Sequence, residues 1–138
     1  MHQQNPNVPA PDPYAPRARR VLVADDDLEM RQVVCEILED HGFVVVEASS
    51  GVALLAHLAD GGEFDLVVTD VRMPWISGQH VVEMARAAGY RMPVLIMTAY
   101  VDEALHRAVA ALPDTALLEK PFEMRELVDR ARQMLQVS

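Results

Sequence analysis

The sequence predicts an α/β protein built on a parallel sheet with helices on both faces. Two observations predict it. Five short, nearly continuous apolar runs each precede a stretch whose apolar residues recur at helical spacing. Strands apolar on both sides belong to a parallel sheet covered by helices, and right-handed crossovers leave few topologies. With 138 residues, 51% of them hydrophobic, a single domain can build a core without metal or disulfide.

The elements follow in order. Residues 1–19 hold five of the nine prolines and no apolar periodicity. They read as a Pro-rich flexible tail, with the domain proper at 20–138. Val21 to Ala24 is the first strand. Met30, Val33, Val34, Ile37 and Leu38 mark the first helix, which Gly42 ends in a left-handed conformation. Phe43 to Val46 is the second strand. Ser49, Ser50 and Gly51 offer the next N-cap, Leu54, Leu55 and Leu58 mark that helix, and Gly61-Gly62 stops it.

Leu66 to Thr69 is the third strand. Ser77-Gly78 opens a helix carrying Val81, Met84, Ala85 and Ala88, ended by Gly89. Pro93 to Met97 is the fourth strand. Ala104, Leu105, Ala108 and Val109 mark the fourth helix, which Pro113 ends. Thr115 to Leu118 is the fifth strand. Pro121 suits the first turn of a last helix whose face holds Met124, Leu127, Val128, Ala131 and Leu135.

Composition narrows the setting. The single cysteine, Cys35, excludes an internal disulfide, fits a buried helix position and suits a reducing, cytoplasmic location. No apolar run is long enough to cross a bilayer, and Met1 to Pro16 has no apolar stretch of the secretory kind. Net charge is −9; the first 20 residues carry +2, so the remainder sums to −11. That balance opposes nucleic-acid binding and favours protein partners or cations. The basic residues are 11 arginines and one lysine, Lys120.

Polar residues collect at one edge. Ligands of an open parallel sheet bind beyond the carboxyl ends of the strands. Asp25, Asp26 and Asp27 follow strand 1, Asp70 follows strand 3, Thr98 ends strand 4 and Lys120 follows strand 5. Clustered carboxylates raise one another's pKa or recruit a hard cation, and Mg²⁺ fits oxygen donors with room for water and phosphate. With an ammonium and a hydroxyl beside them, the set suits phosphoryl transfer by positioning and charge neutralisation. A carboxylate can itself be the acceptor. Asp27 fits an ordinary helix cap.

In four segments the chain resembles the receiver domain of two-component response regulators: VLVADDDLEMR (21–31), DLVVTDVRMP (65–74), VLIMTAY (94–100) and LLEKPF (117–122). The resemblance implies a flavodoxin-like fold of five parallel strands in the order 2-1-3-4-5. It implies that Asp70 accepts a phosphoryl group from a histidine kinase or phosphotransfer protein. It also implies Mg²⁺ bound by Asp26 directly, by Asp25 mostly through water, by Asp70 and by the Arg72 carbonyl. Thr98 then bonds a phosphoryl oxygen, Lys120 pairs with Asp70 and afterwards with the phosphoryl group, and the Lys120–Pro121 bond is cis.

The partners implied are that donor, an unidentified downstream protein and a second copy through the last two helices, with no nucleic acid and no membrane. No turnover of a separate substrate is implied. Two departures stand out. Leu117 occupies the position of the family's aromatic switch residue, where Tyr100 is the nearest substitute ring. Trp75 stands where many members have a small residue, as a half-buried anchor, a shield for Asp70 or a partner contact. Arg72 and Tyr100 flank the site and are placed to set the phosphoryl lifetime.

Two other readings compete. Asp25-Asp26-Asp27 imitates the Asp-x-Asp motif of haloacid-dehalogenase-type phosphatases, and Thr98 and Lys120 fit that family's further motifs. Yet Glu29 stands where that family has Thr or Val, no strand follows Lys120 to carry the last acidic pair, and Asp70 is left idle. A degenerate receiver acting only as a scaffold conflicts with the intact set Asp25, Asp26, Asp70, Thr98 and Lys120.

Overall fold

The computed structural model describes residues 18–136. The expected tail at 1–19 lies almost wholly outside them. Ten elements alternate: β1 (Arg20–Ala24), α1 (Leu28–Asp40), β2 (Val44–Ala48), α2 (Gly51–Ala59), β3 (Leu66–Asp70), α3 (Gly78–Ala87), β4 (Val94–Thr98), α4 (Glu103–Ala110), β5 (Thr115–Glu119) and α5 (Met124–Gln136). All strands pair in parallel, in the order β2-β1-β3-β4-β5. Leu22 faces Val46 on one side and Val67 on the other.

The period of two along each strand divides the core. Leu22, Val67, Val94 and Ile96 pack under α2, α3 and α4, against Leu54, Leu58, Val81, Val82, Leu105 and Val109. Val21, Val23, Leu66, Val68, Leu95 and Met97 pack under α1 and α5, against Val34, Leu38, Leu127 and Ala131. Cys35 joins this second layer. Burial, with the carboxylates of Glu47 and Glu39 adding to it, pushes its thiol up to about 12. It therefore behaves as a small apolar group. Among the described residues no helix is long and apolar enough to cross a membrane.

Several boundaries move for identifiable reasons. The Gly42 N–H donates to Glu39 O (3.0 Å) and the Phe43 N–H to Leu38 O (3.1 Å), with Gly42 at φ +89°. Phe43 is thus used to close α1, and β2 begins at Val44 and runs to Ala48 rather than over 43–46. Pro121 stands outside α5. Glu123 is the cap: its carbonyl accepts from the Leu127 N–H (3.3 Å), and its own N–H donates to Glu126 Oε1 (3.2 Å). Val33, Met84 and Met124 are exposed, because the buried stripes run through Val34, Cys35 and Leu38, through Val81, Val82 and Ala85, and through Leu127, Val128 and Ala131.

One residue pins the edge opposite the polar cluster. The Arg86 guanidinium donates to the carbonyls of Pro113 (2.9 Å), Tyr90 (2.8 Å), Met92 (2.7 Å) and Asp114 (3.2 Å). Asp114 is held there in a left-handed conformation, φ +51°. Arg86→Met removes every donor at once and leaves the carbonyls short of partners. It is expected to destabilise the fold by about 2–3 kcal/mol. Urea denaturation checks this, and Arg86→Lys should restore only part, since an ammonium lacks the planar fork.

Candidate functional site at the carboxyl edge of the sheet

The order β2-β1-β3 opens a crevice where connections leave β1 and β3 in opposite directions. Asp25 follows β1 at its floor and is fully buried. Its N–H donates to Ala48 O (3.1 Å), and its Oδ1 accepts from the Asp27 N–H (3.0 Å). Asp26 is exposed at the rim. Asp27 caps α1, accepting from the N–H groups of Glu29 (3.0 Å) and Met30 (3.3 Å). Asp70 ends β3 with its side chain 14% exposed.

Carboxylate oxygens of Asp25, Asp26 and Asp70 all lie within 4.8 Å of one another. Lys120 Nζ sits 3.5 Å from Asp25 Oδ2 and 3.5 Å from Asp70 Oδ1. One ammonium faces three carboxylates, which leaves an uncompensated negative charge. Asp70 shows the consequence: burial raises its pKa, Asp25 adds to the rise, and Lys120 and the Val71 N–H oppose it. Three hard oxygen donors with excess negative charge and one open side fit Mg²⁺.

Thr98 is buried at the end of β4, and the carbonyl beside its side chain accepts from the Lys120 N–H (2.7 Å). Its hydroxyl is engaged locally: Oγ1 donates to Tyr100 O (3.0 Å) and accepts from the Tyr100 N–H (3.2 Å). The structure therefore gives Thr98 a turn-closing bond in the β4–α4 loop. The Lys120–Pro121 bond is cis. Arg72 is exposed in the loop after β3.

Leu117 packs on the side of the sheet covered by α2, α3 and α4. Tyr100 is 63% exposed and does not fill in as a packed ring near it. Trp75 is 95% exposed, neither a half-buried anchor nor a shield over Asp70. The reason is local. The Ile76 N–H donates to Pro74 O (2.9 Å) around Trp75 at φ +72°, a three-residue turn that directs the side chain outward.

Two supporting residues escape sequence reasoning. Arg31 on α1 donates from Nη1 to Asp25 O (2.7 Å) and from Nε to Glu47 Oε1 (3.0 Å), tying the aspartate loop to β2. The buried Thr69 donates from Oγ1 to Asp70 O (3.0 Å). Arg31 lies one helical turn beyond the Asp27 cap, a position from which a long basic side chain reaches back; that spacing was its only signal.

The chain is similar to known proteins over most of its length. Residues 21–132 match the family described as the response regulator receiver domain. A probable transcriptional regulatory protein of Salmonella typhimurium, SilR, is 36% identical over 117 residues, covering 84% of this chain and 50% of SilR. The response regulator receiver protein CpdR of Brucella abortus is 30% identical, covering 85% of this chain and 97% of CpdR. The chain thus spans about half of the one relative and nearly all of the other. The chemotaxis protein CheY4 of Vibrio cholerae superposes with a TM-score of 0.78 at 30% identity, covering 86% of this chain and 100% of CheY4. The phosphatase and scaffold readings are not favoured by these likenesses. With five parallel strands in the expected order and the family match running through all of them, the chain belongs to the response-regulator receiver domain family.

Proposed function

We propose that Asp70 accepts a phosphoryl group from phosphohistidine on a histidine kinase or phosphotransfer protein. The observation that carries this reading is the grouping of Asp70 with Asp25, Asp26 and Lys120 at the carboxyl edge. An Asp70 carboxylate oxygen attacks phosphorus. The P–N bond breaks, and the imidazole nitrogen leaves with the electron pair and takes up a proton. Asp25, Asp26, Asp70 and the Arg72 carbonyl would hold Mg²⁺, which would neutralise charge on the phosphoryl oxygens. Lys120, already within 3.5 Å of Asp70, transfers its ion pair to a phosphoryl oxygen. Thr98 reaches that group only by giving up its bond to Tyr100 O, so phosphorylation and the β4–α4 loop are coupled.

On this reading the domain covers 20–138, works in the cytoplasm and turns over no separate substrate. Its output runs to a downstream protein, and a second copy docks through α4 and α5. Arg72 and Tyr100, beside the site, set the phosphoryl lifetime. Labelling by radioactive acetyl phosphate tests the core of the proposal: one hydroxylamine-sensitive phosphate per chain, dependent on Mg²⁺. An unlabelled protein in saturating Mg²⁺ would overturn it.

Mg²⁺ binding has its own readout. A cation that binds only the folded state at a hundredfold its dissociation constant stabilises that state by about 2.7 kcal/mol. Scanning calorimetry should show this rise for the wild type. Asp26→Asn, at the exposed rim, should lose most of it while folding normally without cation.

A further inference from the structure

Trp75 has no structural explanation within its own fold. Its side chain is 95% exposed, so it adds almost nothing to the core. Its backbone is at φ +72°, a region where glycine or asparagine sits with less strain. A large apolar residue that is both strained and solvated is the place to look for a contact from outside the chain.

The loop that carries it is rigidly placed. The Ile76 N–H closes the turn on Pro74 O (2.9 Å), and the Gly78 N–H returns to Val71 O (2.9 Å). Gly78 itself lies against the Asp70 carbonyl, close enough that a β-carbon would collide with it. The indole thus projects from a short loop whose two ends are fixed to the backbone at Asp70. Nor is it alone. Nine large apolar side chains are exposed among the described residues, and five belong to the carboxyl edge: Leu28 opening α1, Val52 in the first turn of α2, Trp75, Tyr100 after β4, and Met124 opening α5. Apolar residues therefore surround an acidic crevice.

We propose that Trp75 anchors the protein phosphodonor, its indole entering an apolar recess beside the donor's phosphohistidine. The inference rests on the Asp70 reading above. The occupant follows from that chemistry: a phosphoimidazole can reach Asp70 only if the protein bearing it covers the loops around the crevice. A small anionic donor needs no such cover. Trp75 is then a specificity-determining residue that separates protein donors from small ones. Aromatic anchors held in place beforehand contribute strongly to an interface because little ordering remains to be done.

The test sets Trp75→Ala and Trp75→Phe beside the wild type. Acetyl phosphate is the small donor, and the autophosphorylated histidine kinases of the same cell are profiled as protein donors. For the fastest kinase, Trp75→Ala should lower kcat/KM at least about tenfold, chiefly through KM, and Trp75→Phe should recover much of it. Labelling by acetyl phosphate should stay within about twofold. Trp75→Gly should lose kinase transfer as Trp75→Ala does and yet melt at or above the wild-type temperature, which shows that lost transfer is not lost folding. Unchanged kinase transfer in Trp75→Ala overturns the proposal, as does equal slowing with both donors. So does a wild type that acetyl phosphate labels and no kinase does. A wild type that acetyl phosphate cannot label tells instead against Asp70.

Discussion

Asp70→Asn abolishes Mg²⁺-dependent labelling by acetyl phosphate, down to the background of an unreactive protein. The substitution keeps the size of the side chain but replaces one carboxylate oxygen by an amide nitrogen and removes the charge that makes the group a nucleophile. Asp25 and Asp26 stay in the crevice, but neither takes over. Asp25 is fully buried with Oδ1 committed to the Asp27 N–H, and Asp26 lies at the exposed rim, outside the 3.5 Å pairs that Lys120 makes with Asp25 and Asp70. Stability moves the other way. Burial and the Asp25 charge raise the Asp70 pKa, so the cation-free fold tolerates the ionised carboxylate poorly. The asparagine protein should therefore melt higher than the wild type without Mg²⁺ and respond less to Mg²⁺. Undiminished labelling, measured as phosphate per chain by autoradiography, would sink the assignment.

The parts of this molecule that were legible in the sequence are those set by local pattern. Apolar runs such as Val21–Ala24 and Val94–Met97 lie in strands buried on both faces, and period alone announces that. Asp27 behaves as the cap its position implies. The convergence of Asp25, Asp26, Asp70 and Lys120 follows from topology, because parallel strands bring their carboxyl ends to one edge. What was not legible depends on which of two polar partners wins. Nothing in the sequence says that Thr98 bonds Tyr100, or that Arg31 spans Asp25 and Glu47. Helix faces blur for a related reason. Val33 and Val34 both fit a helical repeat, and only the tilt of α1 on the sheet decides which one is buried.

The exposure of Trp75 belongs to this second kind. A tryptophan beside a site reads as a packed ring until the backbone conformation beneath it is known. The turn at Pro74–Ile76 fixes that conformation through bonds between backbone groups, to which side-chain identity gives little clue. Leu117 is the converse case. It packs as an ordinary aliphatic residue, so β5 supplies no ring at this position.

Gly78 connects that loop to the nucleophile, and Gly78→Ala should be costly beyond its one added methyl. The new β-carbon would run into the Asp70 carbonyl oxygen and approach the Thr69 hydroxyl, which itself bonds that carbonyl. Backbone atoms in a buried strand cannot step aside as a flexible side chain would. Either α3 separates from the sheet or the end of β3 shifts, at a cost of about 3 kcal/mol. A shift there carries Asp70 away from Lys120, so the rate of labelling by acetyl phosphate should fall together with the urea midpoint. Ser77→Ala gives the contrast. It removes the cap bond from the His80 N–H to Ser77 Oγ and costs about 1 kcal/mol, but adds nothing against Asp70. Its labelling rate should stay near wild type. If Gly78→Ala unfolds no more easily than Ser77→Ala and labels as fast as the wild type, the close approach of α3 to Asp70 is not what holds the nucleophile in place.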